Sequence, residues 1–163
     1  MSSERIEPGP GQESVWDYPR PPRIEKTTTL VRVALGGETV ADTRQAVRVL
    51  ETSQPPAFYI RPRDVRQDLL EPTSTRTFCE WKGEASYFTV RVGKRELVDA
   101  AWTYLDPTPD FAEIAGWFAF YAQKLDCFVS GERVTANEGT FYGGWITSSV
   151  VGPFKGGPGS AHW

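Results

Sequence analysis

The feature that most limits what this chain can fold into is its punctuation. Fifteen glycines and thirteen prolines fall among 163 residues, and they divide the sequence into short β-rich runs, too brief for long helices. Leu30–Leu35 ends at Gly36-Gly37, a hairpin turn signal, and Glu38–Thr43 returns. Ala46–Glu51 alternates polar and apolar residues until Thr52-Ser53-Gln54-Pro55-Pro56 breaks it, and Ala57–Arg61 forms the next strand. Arg76–Glu80 and Glu84–Val92 flank Trp81-Lys82-Gly83, which reads as a hairpin tip because Gly83 can take φ > 0 at little steric cost. Gly93-Lys94 turns the chain into Glu96–Leu105, and Trp117–Tyr121 and Cys127–Val129 are the last strands. Helix is expected in two places only. One opens at Pro62, carries Val65, Leu69 and Leu70 at helical spacing and ends by Pro72; the other is a turn over Asp110–Ala115. About eight short strands with so little helix imply a mainly β, antiparallel single domain.

Residues 1–26 are rich in proline, glycine and charge and read as an N-terminal arm. It is either solvated or pinned, to the domain or to a second subunit, by Val15, Trp16 and Tyr18. Residues 27–163 form the single β domain, including a glycine-rich C-terminal segment. That segment is expected to pack on the sheets from Tyr142 through Phe154, since glycine lets a backbone approach closely. Homo-oligomerisation through the terminal arms is compatible with this layout.

The formal net charge of −3 argues against non-specific binding to nucleic acid or to an anionic membrane surface, which basic surfaces drive. No stretch approaches the roughly 18 apolar residues of a membrane span. Cys79 and Cys127 are the two cysteines and His162 the one histidine, so a four-thiolate zinc site is impossible and no metal or cofactor is expected. The N-terminal residues carry no apolar signal run, so the chain is expected in the cytoplasm with both thiols reduced.

Several stretches match a known family. They are Val40-Ala41-Asp42-Thr43, Leu50-Glu51-Thr52-Ser53, Pro56 with Tyr59-Ile60 and Pro62, Asp64-Val65, and Cys79 with Trp81-Lys82-Gly83. The match continues through Ala85 and Tyr87, Ala101-Trp102 with Tyr104, Ala119-Phe120-Tyr121, Tyr142-Gly143-Gly144-Trp145, Gly152–Gly156 and Gly159. Together these resemble the family known as domain of unknown function 427, in order and over nearly the whole chain. Members often have Pro where Glu80 stands and Ser where Thr103 stands. The resemblance implies a β tent of two antiparallel sheets, similar in architecture to methionine-R-sulfoxide reductases and to the drug-binding domain of cereblon. Several such relatives hold zinc with paired CxxC motifs, which this chain lacks. The family bears a nucleotidyltransferase-like label with no established activity behind it.

The aromatic content, six Trp, six Tyr and nine Phe, is unusual; many of these rings are expected in the core and others at a binding site, which aromatics also anchor. Trp81, Trp102 and Trp145 are expected to border one cleft between the sheets. Tyr59 and Tyr142 would supply hydroxyls there, Lys82 a charge at the rim, and Glu51 a nearby carboxylate. Tyr104 belongs to the same aromatic constellation. The expected function is binding of a small molecule or peptide group in that cleft. A second class is an enzyme using Cys79, Lys82 or a carboxylate among Asp42, Glu51, Asp64 and Glu84. A third is a protein-interaction module built on exposed aromatics. Gly156-Gly157-Pro158-Gly159 lacks the Gly-Lys-Ser/Thr order of a phosphate loop and is set aside.

Overall fold

Gly36 and Gly37 both adopt positive φ, 58° and 84°, and Leu35 pairs with Glu38 directly across them. A two-residue loop with both residues left-handed matches the twist of the strands it joins, and only glycine enters it without strain. The structure, a computed structural model, describes residues 5–139 and 141–163; residues 1–4 of the expected arm lie outside the described residues.

The fold is mainly β in one domain, and its large sheets are antiparallel. One four-stranded sheet runs Phe118–Phe120, Arg95–Thr103, Gly83–Val92, Leu70–Cys79. A second runs Glu132–Arg133, Asp126–Val129, Val31–Leu35, Glu38–Thr43. To these two expected sheets the structure adds a third, of three strands: Arg23–Lys26, Val47–Leu50 and Ala57–Tyr59. It continues into the first sheet through an Ile60–Phe118 bridge. Two short pairs complete the pattern, Thr135–Ala136 with Trp145–Ile146 and, in parallel, Glu13–Ser14 with Val150–Val151.

Two local expectations are corrected. The segment from Pro62 to Pro72 is not a helix. It makes two 3-10 turns, Pro62–Asp64 and Gln67–Leu69, and then enters the Leu70–Cys79 strand. Pro72 sits inside that strand because the strand is the sheet's edge, where a missing N–H breaks no ladder. Arg23–Lys26 is likewise a strand, paired with Val47–Leu50, where an extended arm was expected. Upstream of it, Val15 is fully buried and Tyr18 is 5% exposed, so this part of the arm is seated on the domain.

Alternation separates two cores. Phe58, Ile60, Val90, Ala101, Phe118 and Phe120 enter a large apolar core with Val31, Val33 and Val40. Their neighbours in sequence, Tyr59, Trp102, Ala119 and Tyr121, point the other way and join Tyr87 and Tyr104 in an aromatic cluster. Strands buried on both faces read as continuous apolar or aromatic runs, and Phe118-Ala119-Phe120-Tyr121 is such a run.

The C-terminal segment is fastened where it passes Pro55-Pro56. The Trp145 N–H donates to the Pro56 carbonyl at 2.8 Å. A Cβ at Gly144 would lie 2.3 Å from the Pro55 carbonyl oxygen. Backbone cannot yield as a flexible side chain does, so Gly144→Ala is expected to cost roughly 1–3 kcal/mol. Thermal melting should record a fall of about 2–4 °C per kcal/mol for a chain of this size. A melting temperature equal to wild type would show that the segment is not held there.

Candidate functional site

Leu70–Cys79 and Gly83–Val92 meet in the turn Glu80-Trp81-Lys82, with Cys79 and Gly83 in register across it. Gly83 takes φ 104°, a conformation that a Cβ would strain. The turn is not free in solvent. The Thr108 N–H donates to the Lys82 carbonyl at 3.0 Å, and the Thr108 hydroxyl donates to the Trp81 carbonyl at 2.6 Å. These two bonds fold the tip against the aromatic cluster and leave Lys82 only 8% exposed.

A cavity of about 250 Å3 lies inside the turn. Tyr59 and Trp102 form its floor: the indole N–H donates to the Tyr59 hydroxyl at 3.2 Å, with the rings edge to face at 6.2 Å. Tyr121 packs 4.6 Å from Trp102, and its hydroxyl donates to the Phe141 carbonyl at 3.0 Å, tethering the Phe141–Gly144 wall. Gly143 is needed in that wall, because a Cβ there would stand 2.2 Å from the Trp102 ring. The Tyr87 and Thr77 hydroxyls share a hydrogen bond of 2.9 Å at one side. The mouth is flanked by Phe78 and Phe141, 76% and 56% exposed, and by Lys155, whose ammonium lies 5.3 Å from the Tyr142 ring. Glu51 lines the cavity with its carboxylate 3.8 Å from Arg20.

Lys82 dominates the electrostatics. Its ammonium sits 5.6 Å from the Tyr104 ring centre and 5.9 Å from that of Phe111. Among the described residues no carboxylate comes within ion-pair distance of it. Burial presses its pKa down, but Tyr59, Cys79 and Glu51 outweigh that and leave it raised. Tyr59 assists only as an anion, and burial raises its own pKa, so at neutral pH it does not balance the charge. Contact with ring faces is worth about 2 kcal/mol when desolvated, whereas burying an ion costs several kcal/mol. Lys82 is therefore a buried cation short of a counter-charge. The Trp81 indole N–H is also buried without a partner.

The structure brings Trp81, Lys82, Trp102, Tyr59, Tyr142 and Glu51 to one cavity. Trp145 does not join them, which corrects the expected third indole wall. Its ring lies in the apolar core on the opposite side of the sheet, stacked on Phe58 at 5.0 Å and 20°. Its N–H donates to the Phe120 carbonyl at 2.9 Å. Gly143-Gly144 does bring the segment close, but the residue after them points to the other face, and Gly143 itself presses on Trp102. Trp145 borders a separate cavity of about 220 Å3 with Arg48, Glu13 and Glu25. There the Arg48 guanidinium bonds to both carboxylates and Arg23 reaches Glu25 at 3.5 Å, so each charge has a partner.

Sequence reasoning did not assign Tyr87, Tyr121 or Lys155 to the cavity. Two of these were accessible: Tyr87 is the cross-strand partner of Trp102, and Tyr121 shares the alternation of Ala119. Lys155 arrives from the C-terminal segment, which carries no periodicity. Cys79 lies half-buried on the cavity wall, while Cys127 is in the apolar core, where burial pushes its thiol pKa up. Both thiols are free. His162 is exposed and not part of the cavity. Asp64 accepts from Arg61 at 2.7 Å and from Thr43 at 2.6 Å, a bracing role outside the cavity. Among the described residues, no three His, Cys, Asp or Glu side chains cluster as a metal site.

A buried cation without a counter-charge destabilises the empty protein. Lys82→Met keeps the length and the apolar stem and removes the charge, so the melting temperature at neutral pH is expected to hold or rise. A fall of more than a few degrees would show that the ammonium is fully satisfied in the empty fold.

The model of the family described as a domain of unknown function, DUF427, matches residues 23–131. A search of curated proteins found no match. The matched span carries Tyr59, the hairpin tip, Trp102, Tyr104 and Tyr121, and stops before the Phe141–Gly144 wall and Lys155. With the family model spanning more than half of the sequence and most of the cavity, this chain belongs to the DUF427 family.

Proposed function

We propose that this protein binds a small organic molecule, or one ring-sized group of a larger molecule such as a peptide, in the aromatic cavity. The observation that carries this reading is the lining: ring faces on several sides with Lys82 buried among them and lacking an ion pair. Aromatic walls with a few placed polar groups are the usual make-up of a ligand site. The cavity, about 250 Å3, exceeds an engineered apolar cavity of about 150 Å3 that accepts benzene. One substituted ring is therefore the appropriate scale. Binding is favoured over catalysis because Cys79, though on the wall, has no histidine beside it among the described residues. Two free thiols, one of them half-buried at the cavity, suit a reducing compartment and support a cytoplasmic setting. No helix among the described residues is long and apolar enough to cross a membrane.

Ligand-observed NMR with a library of single-ring compounds tests the reading. Binders are expected among them, and Trp81→Ala should abolish their signals while the fold, followed by circular dichroism, survives. Binding that persists unchanged in Trp81→Ala, or no binder at all at millimolar concentration, would overturn it.

A further inference from the structure

The polar groups facing the cavity are unequal in kind, and their inequality specifies a ligand class. The Lys82 ammonium faces the rings of Tyr104 and Phe111, with the Cys79 thiol and the Tyr59 hydroxyl beside it and, among the described residues, no carboxylate within ion-pair distance. The Tyr59 hydroxyl accepts from Trp102, which leaves its own hydrogen to donate, and no acceptor for it is present among the described residues. The Tyr104 hydroxyl has no hydrogen-bond partner among the described residues. All three groups belong to residues at least nine-tenths buried, and all three line the cavity. Burial raises both phenol pKa values, so each keeps its proton. Of the two carboxylates that line the cavity, Glu80 is exposed and Glu51, half-buried, faces Arg20.

From this imbalance we infer that the cavity takes a carboxylate: a small, flat organic acid whose carboxylate accepts from Lys82, Tyr59 and Tyr104 while its ring lies among Trp81, Trp102 and Tyr121. The inference rests on the binding function proposed above. An ionised carboxylate is acceptor-only, which suits a wall of unspent donors. Its single charge equals the single buried cation. A phosphate monoester carries about −1.5 to −2, and the second lysine, Lys155, is at the mouth with its ammonium directed to the Trp163 carbonyl at 3.4 Å. A bound acid also supplies the missing counter-charge, so Lys82 gains in the complex what it lacks in the empty protein.

The test titrates the full chain with benzoate, phenylacetate and indole-3-acetate, each against its primary amide, following tryptophan fluorescence and two-dimensional NMR. The acids are expected to saturate, and the amides to bind roughly tenfold more weakly or worse, since a charge-assisted bond is lost. Lys82→Met should bring the acids down to the level of the amides, and Tyr59→Phe should weaken them in part. The acid–amide comparison on wild type needs no variant to fold. Amides as tight as acids, phenyl phosphate tighter than any acid, or acid binding unchanged in Lys82→Met would overturn the carboxylate assignment and leave the cavity as the binding site. Absence of acid binding while neutral rings still bind in a Trp81-dependent way would overturn it alone; absence of both would remove the binding function as well.

Discussion

The strands that build the cavity are buried on both sides, and that double burial organises the rest of the molecule. Phe58 and Ile60 face one core while Tyr59 between them faces the other; Ala101 and Trp102 divide in the same way. The large core is apolar, aliphatic and aromatic side chains together, and holds the sheets together by area removed from water. The second gathers Tyr and Trp rings with polar ends among smaller apolar residues, and the cavity opens beside them. One layer of backbone therefore serves as both the wall of the hydrophobic core and the wall of the cavity, and a change on either face is felt on the other.

Against that layer, the hairpin tip acts as a lid held from outside. The two bonds from Thr108 to the tip carbonyls position Trp81 and Lys82 without using either side chain. Both side chains are thereby directed inward, where the indole N–H is unpartnered and the ammonium lies against the Tyr104 ring without an ion pair among the described residues. A fold that spends backbone hydrogen bonds to hold a buried cation in place departs from local consistency, and such departures concentrate at functional sites. The same wall carries Gly143, where any larger residue would meet the Trp102 ring.

The termini act as braces behind the three-stranded sheet. Glu13–Ser14 pairs with Val150–Val151, and the Trp16 indole N–H donates to the Pro153 carbonyl at 2.8 Å. Arg48, from the middle of that sheet, bonds to Glu13 and Glu25 and so links the N-terminal segment to the sheet. The Lys155 N–H donates to the Ser53 carbonyl at 2.7 Å, which sets the end of the chain at the cavity mouth. Segments that look like loose tails in composition thus complete the cavity and fasten the loop that carries Glu51 to Pro55.

The sequence alone determined the strands whose signals are local. Gly36-Gly37 demanded a tight hairpin, and the hairpin tip at Trp81-Lys82-Gly83 was legible from one permissive glycine. Six of the seven residues picked for the cleft also converge, because strand alternation and tip position carry most of that information. Tertiary structure alone decided the rest. Pro72 reads as a stop yet lies within a strand, since only the sheet order makes that strand an edge. Trp145 follows two glycines that press on the cavity wall, yet the next residue turns to the opposite core, and no local period encodes that choice. The charge balance at Lys82 was likewise invisible, because it depends on which carboxylates come near in space, and Glu51 is drawn toward Arg20 by the folding of a segment far away in the chain.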